Sequence, residues 1–153
     1  MNTLQIERLL LRDEQCSPIL GGVFAADVFA NELASNNETR GLYVVNTDDS
    51  SRPGMHWVAL CITGKEVEFF DSYGLPPDLY PNIADALNIL RIPKVYNATR
   101  IQQPLTDVCG QYCIAYCYAS ARGFDLDTIV SYWKKKTDDD VKRFVEMMKP
   151  RDA

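Results

Sequence analysis

A histidine, an acidic residue and a cysteine stand at positions where they can cooperate in thiol chemistry. His56 is the only histidine of the 153 residues, and it begins the apolar run HWVALCIT. Asp71 directly follows the next run, EVEFF, and Cys109 lies well downstream in the stretch DVCGQYC. An imidazole between a carboxylate and a thiol can accept the thiol proton while the carboxylate fixes the imidazole tautomer. These residue types therefore suggest a nucleophilic cysteine with its base.

The two apolar runs around residues 63–65 predict a β-hairpin, because both are rich in β-branched and aromatic residues and a glycine separates them. A turn centred on Thr63-Gly64 places His56 directly opposite Asp71. Opposite residues of a hairpin have Cβ atoms roughly 4.5–5.5 Å apart, which suits a carboxylate that holds an imidazole. A bulge or a longer loop would break this register.

The segment CGQYCIAYCYASARG, residues 109–123, predicts a helix buried inside the domain, because it is apolar or small on nearly every face and ends at a glycine. Cys109 would begin this helix, where the first-turn amides and the helix dipole lower the pKa of a thiol. Either Gln102 or Gln103 could supply a side-chain amide beside the Cys109 N–H for a developing oxyanion. Each residue alone is more often structural, so the hypothesis depends on the complete ordered set.

The remaining segments predict the elements that position these residues. We expect a helix in TLQIERLLLRD, a strand in GLYVVNT followed by an exposed loop in NTDDSSRPG, a helix in YPNIADALNILRI, a strand in KVYNATRIQ, and one or two amphipathic helices in DLDTIVSYWKKKTDDDVKRFVEMMK. These elements predict an α+β domain with a small mixed or antiparallel sheet packed against helices.

Length and composition limit the possible functions. The 153 residues suit a single domain over residues 1–153, and the 46% apolar and 24% charged fractions are typical of a soluble globular protein. No stretch approaches the roughly 20 apolar residues that cross a bilayer. The N-terminus MNTLQIERLLLRDEQC mixes charges with its leucines, unlike a secretory signal. We therefore expect no membrane span and a protein that remains inside a cell or a particle.

Charge and cysteine content exclude further classes. The net charge of −5 argues against a surface for the phosphate backbone of nucleic acids. Five cysteines, an odd number, predict a reducing compartment without a disulfide framework. One histidine and no CxxC pair leave no recognisable ligand set for a metal.

Four stretches together resemble a known family: CSPILGGVF, YVVNTDDSSRPGMHWVAL, FFDSYG and IQQPLTDVCGQYC. They resemble the adenovirus-type cysteine proteases (adenain) and, more distantly, the ubiquitin-like-protein proteases that share their fold. The fuller agreement lies with the viral branch, which includes proteases of virus-like DNA transposons (Polintons) and virophages. The resemblance implies a papain-like, adenain-like fold in which a buried central helix carries the nucleophile at its N-terminus.

Position by position, the resemblance implies Cys109 as nucleophile, His56 as general base and Asp71 as its orienting carboxylate. Adenovirus enzymes carry glutamate where this chain has Asp71, and the ubiquitin-like proteases carry aspartate. The resemblance also implies a glutamine in the oxyanion hole. Aligning Gln-x-Pro without a gap favours Gln102, whereas the spacing in the deconjugating enzymes favours Gln103.

The resemblance further implies a thiol endopeptidase that cleaves viral or virus-like capsid precursors at sites containing glycine, without a cofactor. Trp57 and Gly110 would contact the substrate near the scissile bond. Such an enzyme would act in the host cell, at the site of virus assembly, or inside the virion. The alternatives are a deconjugase for ubiquitin- or SUMO-like modifiers and a Cys/His acyltransferase, and a non-enzymatic binding role is the weakest.

Two departures from the adenovirus enzyme alter the expected partners. That enzyme is stimulated by a peptide disulfide-linked to a cysteine, but the corresponding stretch LRIPKVYNATR has no cysteine, so no such activator is expected. It also uses DNA, whereas the lysines at 134–136 are followed by aspartates at 138–140, so the local charge cancels. DNA is therefore not expected as a partner.

Overall fold

Five strands form one sheet in the computed structural model, which describes residues 1–35, 40–48 and 56–151. In chain order, which is also their order in the sheet, the strands are β1 (Leu20–Ala25), β2 (Gly41–Asn46), β3 (Trp57–Ile62), β4 (Val67–Phe70) and β5 (Lys94–Tyr96). The outer pairs β1–β2 and β4–β5 are parallel, and the inner pairs β2–β3 and β3–β4 are antiparallel. The predicted α+β class with a small mixed sheet is confirmed.

Six α-helices occur in the same described ranges. They are α1 (Thr3–Arg12), α2 (Ala26–Ser35), α3 (Pro81–Asn88), α4 (Cys109–Ala121), α5 (Leu126–Lys134) and α6 (Asp138–Met148). Capping boxes begin two of them: Asn2 caps α1 and Thr137 caps α6. None of the helices in residues 1–35, 40–48 and 56–151 has the length and apolarity required to cross a membrane.

The sheet separates two apolar clusters because side chains alternate along its strands. On β3, Trp57 and Ala59 face the cluster that contains α4, whereas Val58 and Leu60 face the cluster that contains α2 and α3. The helix α4 buries eight of its thirteen residues, which explains why its sequence has no polar face. The predicted buried helix is therefore confirmed, with Cys109 as its first residue.

Several predicted elements differ in extent from the observed ones. The helix α3 ends at Asn88, and β5 has only three residues because the Asn97 side chain bonds the backbone of Asp71 in place of a continued ladder. The strand β1 and the helix α2 were not predicted. The strand was missed because its sequence LGGVFA contains two glycines, a residue that is depleted in strands. Residues 49–54 of the predicted exposed loop lie outside the described residues.

The predicted hairpin register is wrong by two residues, because Phe70 pairs with Ala59. The turn is centred on Gly64-Lys65 instead of Thr63-Gly64. The Thr63 hydroxyl accepts hydrogen bonds at 3.2 Å from the backbone N–H groups of Lys65 and Glu66, and the Thr63 N–H donates to the Glu66 carbonyl at 3.0 Å. These bonds fix the turn one residue further along the chain.

The register change places His56 diagonally from Asp71 rather than directly opposite. A shift of two residues preserves the alternation of strand side chains, so both residues still face the same way. The ends of the two strands therefore bring the imidazole and the carboxylate together by a diagonal contact.

Candidate active site

His56 and Asp71 form a buried hydrogen-bonded pair. The imidazole Nε2 lies 2.7 Å from Asp71 Oδ1, and the aspartate has no exposed surface. The same Oδ1 accepts the Tyr73 backbone N–H at 2.9 Å, while Oδ2 accepts the Tyr80 hydroxyl at 2.6 Å. Because Nε2 faces the carboxylate, Nδ1 is the ring nitrogen that remains for a thiol proton.

The backbone of Asp71 is held separately by Asn97, a residue that the sequence did not mark as functional. The Asn97 amide nitrogen donates to the Asp71 carbonyl at 2.6 Å, and its oxygen accepts the Asp71 N–H at 3.0 Å. Asn97 is itself buried. The side chain thus continues the hydrogen bonding of β4 beyond its last residue and fixes the position of the carboxylate.

Cys109 shares a side-chain hydrogen bond with His56, and the backbone N–H groups of Trp57 and Gly110 also donate to its sulfur. Burial works to raise the pKa of the Cys109 thiol, but the hydrogen bonds outweigh burial and lower that pKa. Burial works to lower the pKa of His56, but its hydrogen bonds to Asp71 and Cys109 raise the pKa to about 9. Both shifts favour a thiolate paired with an imidazolium.

The other thiols have the opposite electrostatics. All five cysteines lie within the described residues and are free. Burial raises the pKa of Cys113 and Cys117 well above the ordinary value, and burial together with Asp13 raises the pKa of Cys16 to about 12. Cys109 is therefore the thiol suited to nucleophilic chemistry. Among residues 1–35, 40–48 and 56–151, no group of three or more His, Cys, Asp or Glu is arranged to hold a metal ion.

The two candidate glutamines occupy different environments. Gln102 is 1% exposed, and its Oε1 accepts the Ser72 hydroxyl at 2.5 Å. Its Nε2 carries two N–H groups and lies 2.9 Å from the Thr106 carbonyl, 3.0 Å from the Thr106 hydroxyl and 3.3 Å from the Tyr73 hydroxyl, so two of these acceptors share one N–H. The side chain of Gln103 is exposed. Gln102 is thus the glutamine that the structure joins to the buried network.

Tyr73 connects the base to this glutamine, although the sequence analysis did not single it out. Its ring stacks on the His56 imidazole with ring centroids 4.8 Å apart and planes inclined by 28°. Its hydroxyl reaches Gln102, and its backbone N–H reaches Asp71. Tyr73 lies within the motif FFDSYG, which is the one sequence signal that pointed to it.

Trp57 and Gly110 lie beside Cys109 and pack against the N-terminal segment of the chain. Trp57 is 7% exposed, and its indole N–H donates to the Met1 carbonyl at 3.1 Å. A methyl group added at Gly110 would lie 3.4 Å from Ile6 Cδ1 and 3.5 Å from Trp57 Cδ1. These contacts give both residues a packing role, and their contact with substrate stays a prediction.

Comparison with known proteins relates this arrangement to solved structures. No protein-family model and no curated protein matches the chain. A structure of an AvrA variant with IP6 and CoA matches with a TM-score of 0.50 and 18% identity, over 76% of this chain and 46% of that chain. A structure of the SUMO protease Ulp1, with its catalytic cysteine oxidised to a sulfenic acid, gives a TM-score of 0.46 and 14% identity over 97% of this chain and 79% of that chain.

The chain therefore spans about half the length of the AvrA chain that it matches. At this identity the likeness concerns the fold alone. Within that fold, the mixed sheet supplies His56 and Asp71 from adjacent strand ends, and the buried helix α4 begins at Cys109. The chain therefore shares its fold with the AvrA structure, and the predicted mixed sheet with a buried central helix that begins at the cysteine is observed.

Proposed function

We propose that this protein is a cysteine endopeptidase acting on protein substrates, with a catalytic unit formed by a single domain over residues 1–153. The observation that carries the proposal is the buried Cys109–His56–Asp71 arrangement, in which the thiol pKa is lowered and the imidazole pKa is raised to about 9. A structural cysteine or histidine does not require this combination.

In this reaction the Cys109 thiolate attacks the scissile carbonyl carbon and forms a tetrahedral intermediate. The Gln102 amide and the Cys109 backbone N–H would donate to its oxyanion. The protonated Nδ1 of His56 gives its proton to the leaving amine, which leaves a thioester on Cys109. His56 then removes a proton from water, the hydroxide attacks the thioester, and the acid product departs from the Cys109 sulfur; the proton taken from water stays on His56, which restores the thiolate–imidazolium pair.

For the biological substrate we propose capsid precursor proteins of a virus or a virus-like element, cut at sites containing glycine, in the host cell or in the assembling particle. The support is the sequence resemblance through HWVAL, FFDSYG and QQPLTDVCG to the viral branch of adenain-like proteases. Neither a disulfide-linked peptide activator nor DNA is part of the proposal, because the chain lacks the corresponding cysteine and has a net charge of −5.

The direct test incubates the purified protein with capsid precursors of viruses and virus-like elements and identifies new termini by mass spectrometry. We expect cleavage by the wild type and loss of cleavage in Cys109→Ala. Cys61→Ala is the matched control, since burial raises the pKa of that thiol and it lies outside the site. Absence of cleavage by the wild type, or equal cleavage by Cys109→Ala, would contradict the proposal.

An acyltransferase is the second candidate, because the AvrA structure that shares the fold contains CoA. In that reaction the Cys109 thiolate would attack the thioester of an acyl-CoA, release CoA as a thiol and pass the acyl group to a protein nucleophile. Acetyl-CoA that labels Cys109 and then a protein acceptor would favour this candidate. Reaction with a SUMO or ubiquitin probe bearing a C-terminal electrophile would instead indicate a deconjugase.

The protonation states predict a pH profile for peptide cleavage. Activity should fall as pH drops through the lowered pKa of Cys109, because the thiolate becomes protonated. It should fall again as pH rises through about 9, because His56 loses the proton that the leaving amine needs. Measuring kcat/KM against pH checks both limbs. Activity that appears only above roughly pH 8.5, where an ordinary thiol ionises, would contradict the ion pair.

A further inference from the structure

Asp138, the first residue of α6, joins the loop before the nucleophile to the nucleophile helix. Its Oδ1 accepts the Tyr112 hydroxyl from α4 at 2.7 Å. Its Oδ2 accepts the Thr106 hydroxyl at 3.0 Å and the Gln103 backbone N–H at 3.3 Å, both from the loop. The sequence analysis placed this aspartate in a run of aspartates that cancels the charge of the preceding lysines. It is instead a half-buried acceptor for three donors.

Thr106 extends this contact to Gln102. An ionised carboxylate only accepts hydrogen bonds, and a threonine hydroxyl has a single proton to donate. When the Thr106 hydroxyl points its proton at Asp138, its lone pairs face Gln102 Nε2, which lies 3.0 Å away. The Thr106 carbonyl accepts the same amide nitrogen at 2.9 Å. The Gln103 carbonyl also lies 3.0 Å from the Thr106 hydroxyl, but an ionised carboxylate is the stronger acceptor, so Asp138 draws the proton and leaves the lone pairs toward Gln102.

The other end of the Gln102 amide is fixed as well, since its oxygen accepts the Ser72 hydroxyl. A rotation of the amide by half a turn would bring its oxygen against the Thr106 carbonyl, which only accepts, and would lose that hydrogen bond. Its longest contact is the one at 3.3 Å to the Tyr73 hydroxyl. That contact is the weakest of the set, so it is the one that an oxyanion can replace.

We propose that Asp138 is a positioning residue, which through Thr106 holds the Gln102 amide with its nitrogen toward the oxyanion position. The proposal rests on the proposed function for the role of Gln102, and it adds a residue from the C-terminal helix to the machinery. Asp138 does not touch the substrate. Its removal should disturb stabilisation of the oxyanion while the Cys109–His56 pair remains intact.

The test compares Asp138→Ala with Asp139→Ala. Asp139 is the matched control because it lies in the same first turn, is exposed and carries the same charge. We expect Asp138→Ala to lower kcat by about 10–100-fold, less than the loss of a whole oxyanion donor, with KM changed by about twofold or less. Inhibition by a peptide aldehyde, which forms a tetrahedral adduct, should weaken in the same proportion. Asp139→Ala should match the wild type.

Alkylation of Cys109 by iodoacetamide provides the readout that separates positioning from general damage. This substitution needs the thiolate but forms no oxyanion, so its rate should be unchanged in Asp138→Ala. A fall in the alkylation rate equal to the fall in kcat would overturn the proposal. Unchanged kcat in Asp138→Ala would overturn it too.

Two Thr106 variants keep the test decisive if Asp138→Ala fails to fold. Thr106→Ser retains the hydroxyl and should keep most of the activity, whereas Thr106→Val retains the shape and should repeat the loss expected for Asp138→Ala. Equal activity in the two Thr106 variants would overturn the proposal.

A measurement without turnover distinguishes failure of this proposal from failure of the proposed function. Hydrogen exchange of the Gln102 side-chain amide, assigned by NMR with Gln102→Ala, should accelerate in Asp138→Ala and stay unchanged in Asp139→Ala. That result supports the positioning role even where the wild type cleaves no peptide. Equal exchange in both variants overturns it.

Discussion

The two halves of the candidate site are held by different kinds of structure. The base side, His56 with Asp71, lies at the ends of two paired strands and is held by a buried carboxylate. The donor side, Gln102 with Thr106 and Asp138, is a loop held by neutral groups and by a carboxylate from a helix 36 residues after Gln102. The comparison indicates that the base side controls the protonation of His56 and Cys109, whereas the donor side controls only the position of the Gln102 amide.

Asp71→Asn should have the largest effect and should change the pH profile. The asparagine amide can present an N–H to Nε2, which would enforce the wrong tautomer, so kcat/KM should fall by roughly 10³–10⁴-fold. The upper limb of the profile should also move down from about 9, because the hydrogen bond that raises the pKa of His56 is lost. Residual activity measured from pH 5 upward checks both effects. An unmoved upper limb would contradict control of protonation by the base side.

Gln102→Ala should lower kcat by roughly 10²–10³-fold, the usual cost of losing one oxyanion donor, and should leave both limbs of the pH profile in place. Gln103→Ala is the matched control, because the exposed side chain of that residue is outside the buried network. Steady-state kinetics on both variants also separates the two glutamines that the sequence left open. A greater loss in Gln103→Ala would reverse the assignment.

Tyr80→Phe should have a moderate effect, because it removes one of the three hydrogen bonds to the Asp71 carboxylate and keeps the ring. A hydrogen bond to a charged group contributes about 1.5–3 kcal/mol to the free energy of unfolding, so chemical denaturation should show a loss of that size. Tyr132→Phe is a suitable control, since that tyrosine is 55% exposed. Equal stability of the two variants would show that the Tyr80 hydroxyl does not support the base side.

Leu105→Gly should have the smallest effect. Leu105 is completely exposed on the donor-side loop and has a φ of 62°, a conformation that costs a leucine about 1–2 kcal/mol. Glycine relieves this strain but gains entropy in the unfolded chain, so the free energy of unfolding should rise by about 1 kcal/mol or less. Arg91→Gly, at a φ of 52° and distant in sequence from the site, should show a similar change. A clear loss of stability in Leu105→Gly would contradict the strain argument.

The base side could largely be predicted from the sequence, because strand alternation brings His56 and Asp71 to the same face. The register was wrong by two residues, since the Thr63 hydroxyl moves the centre of the turn. An error of two residues keeps the alternation of side chains along the strands, so the contact between His56 and Asp71 was still predicted correctly. The position of Cys109 at the start of a buried helix followed in the same way from local pattern.

Most of the remaining partners could not be predicted, because hydrogen bonds between distant side chains select them. Tyr80, Asn97 and Asp138 each look like ordinary turn or surface residues in the sequence. The strand β1 was missed for another reason: any side chain at Gly21 would collide with the Tyr43 ring, 2.1 Å from the added Cβ. Close packing requires glycine there, and because glycine is unfavourable inside strands, residue propensities do not predict a strand at this position.

The hydrogen bond between His56 Nε2 and Asp71 also imposes an order of events on the proposed reaction. Nε2 remains committed to the carboxylate, so Nδ1 alone must serve both the departing amine and the incoming water. Both molecules need the same space beside one nitrogen, and they can occupy it only in succession. The C-terminal fragment, which carries the new amino terminus, therefore has to leave before hydrolysis begins. The N-terminal fragment remains bound to Cys109 as a thioester until then.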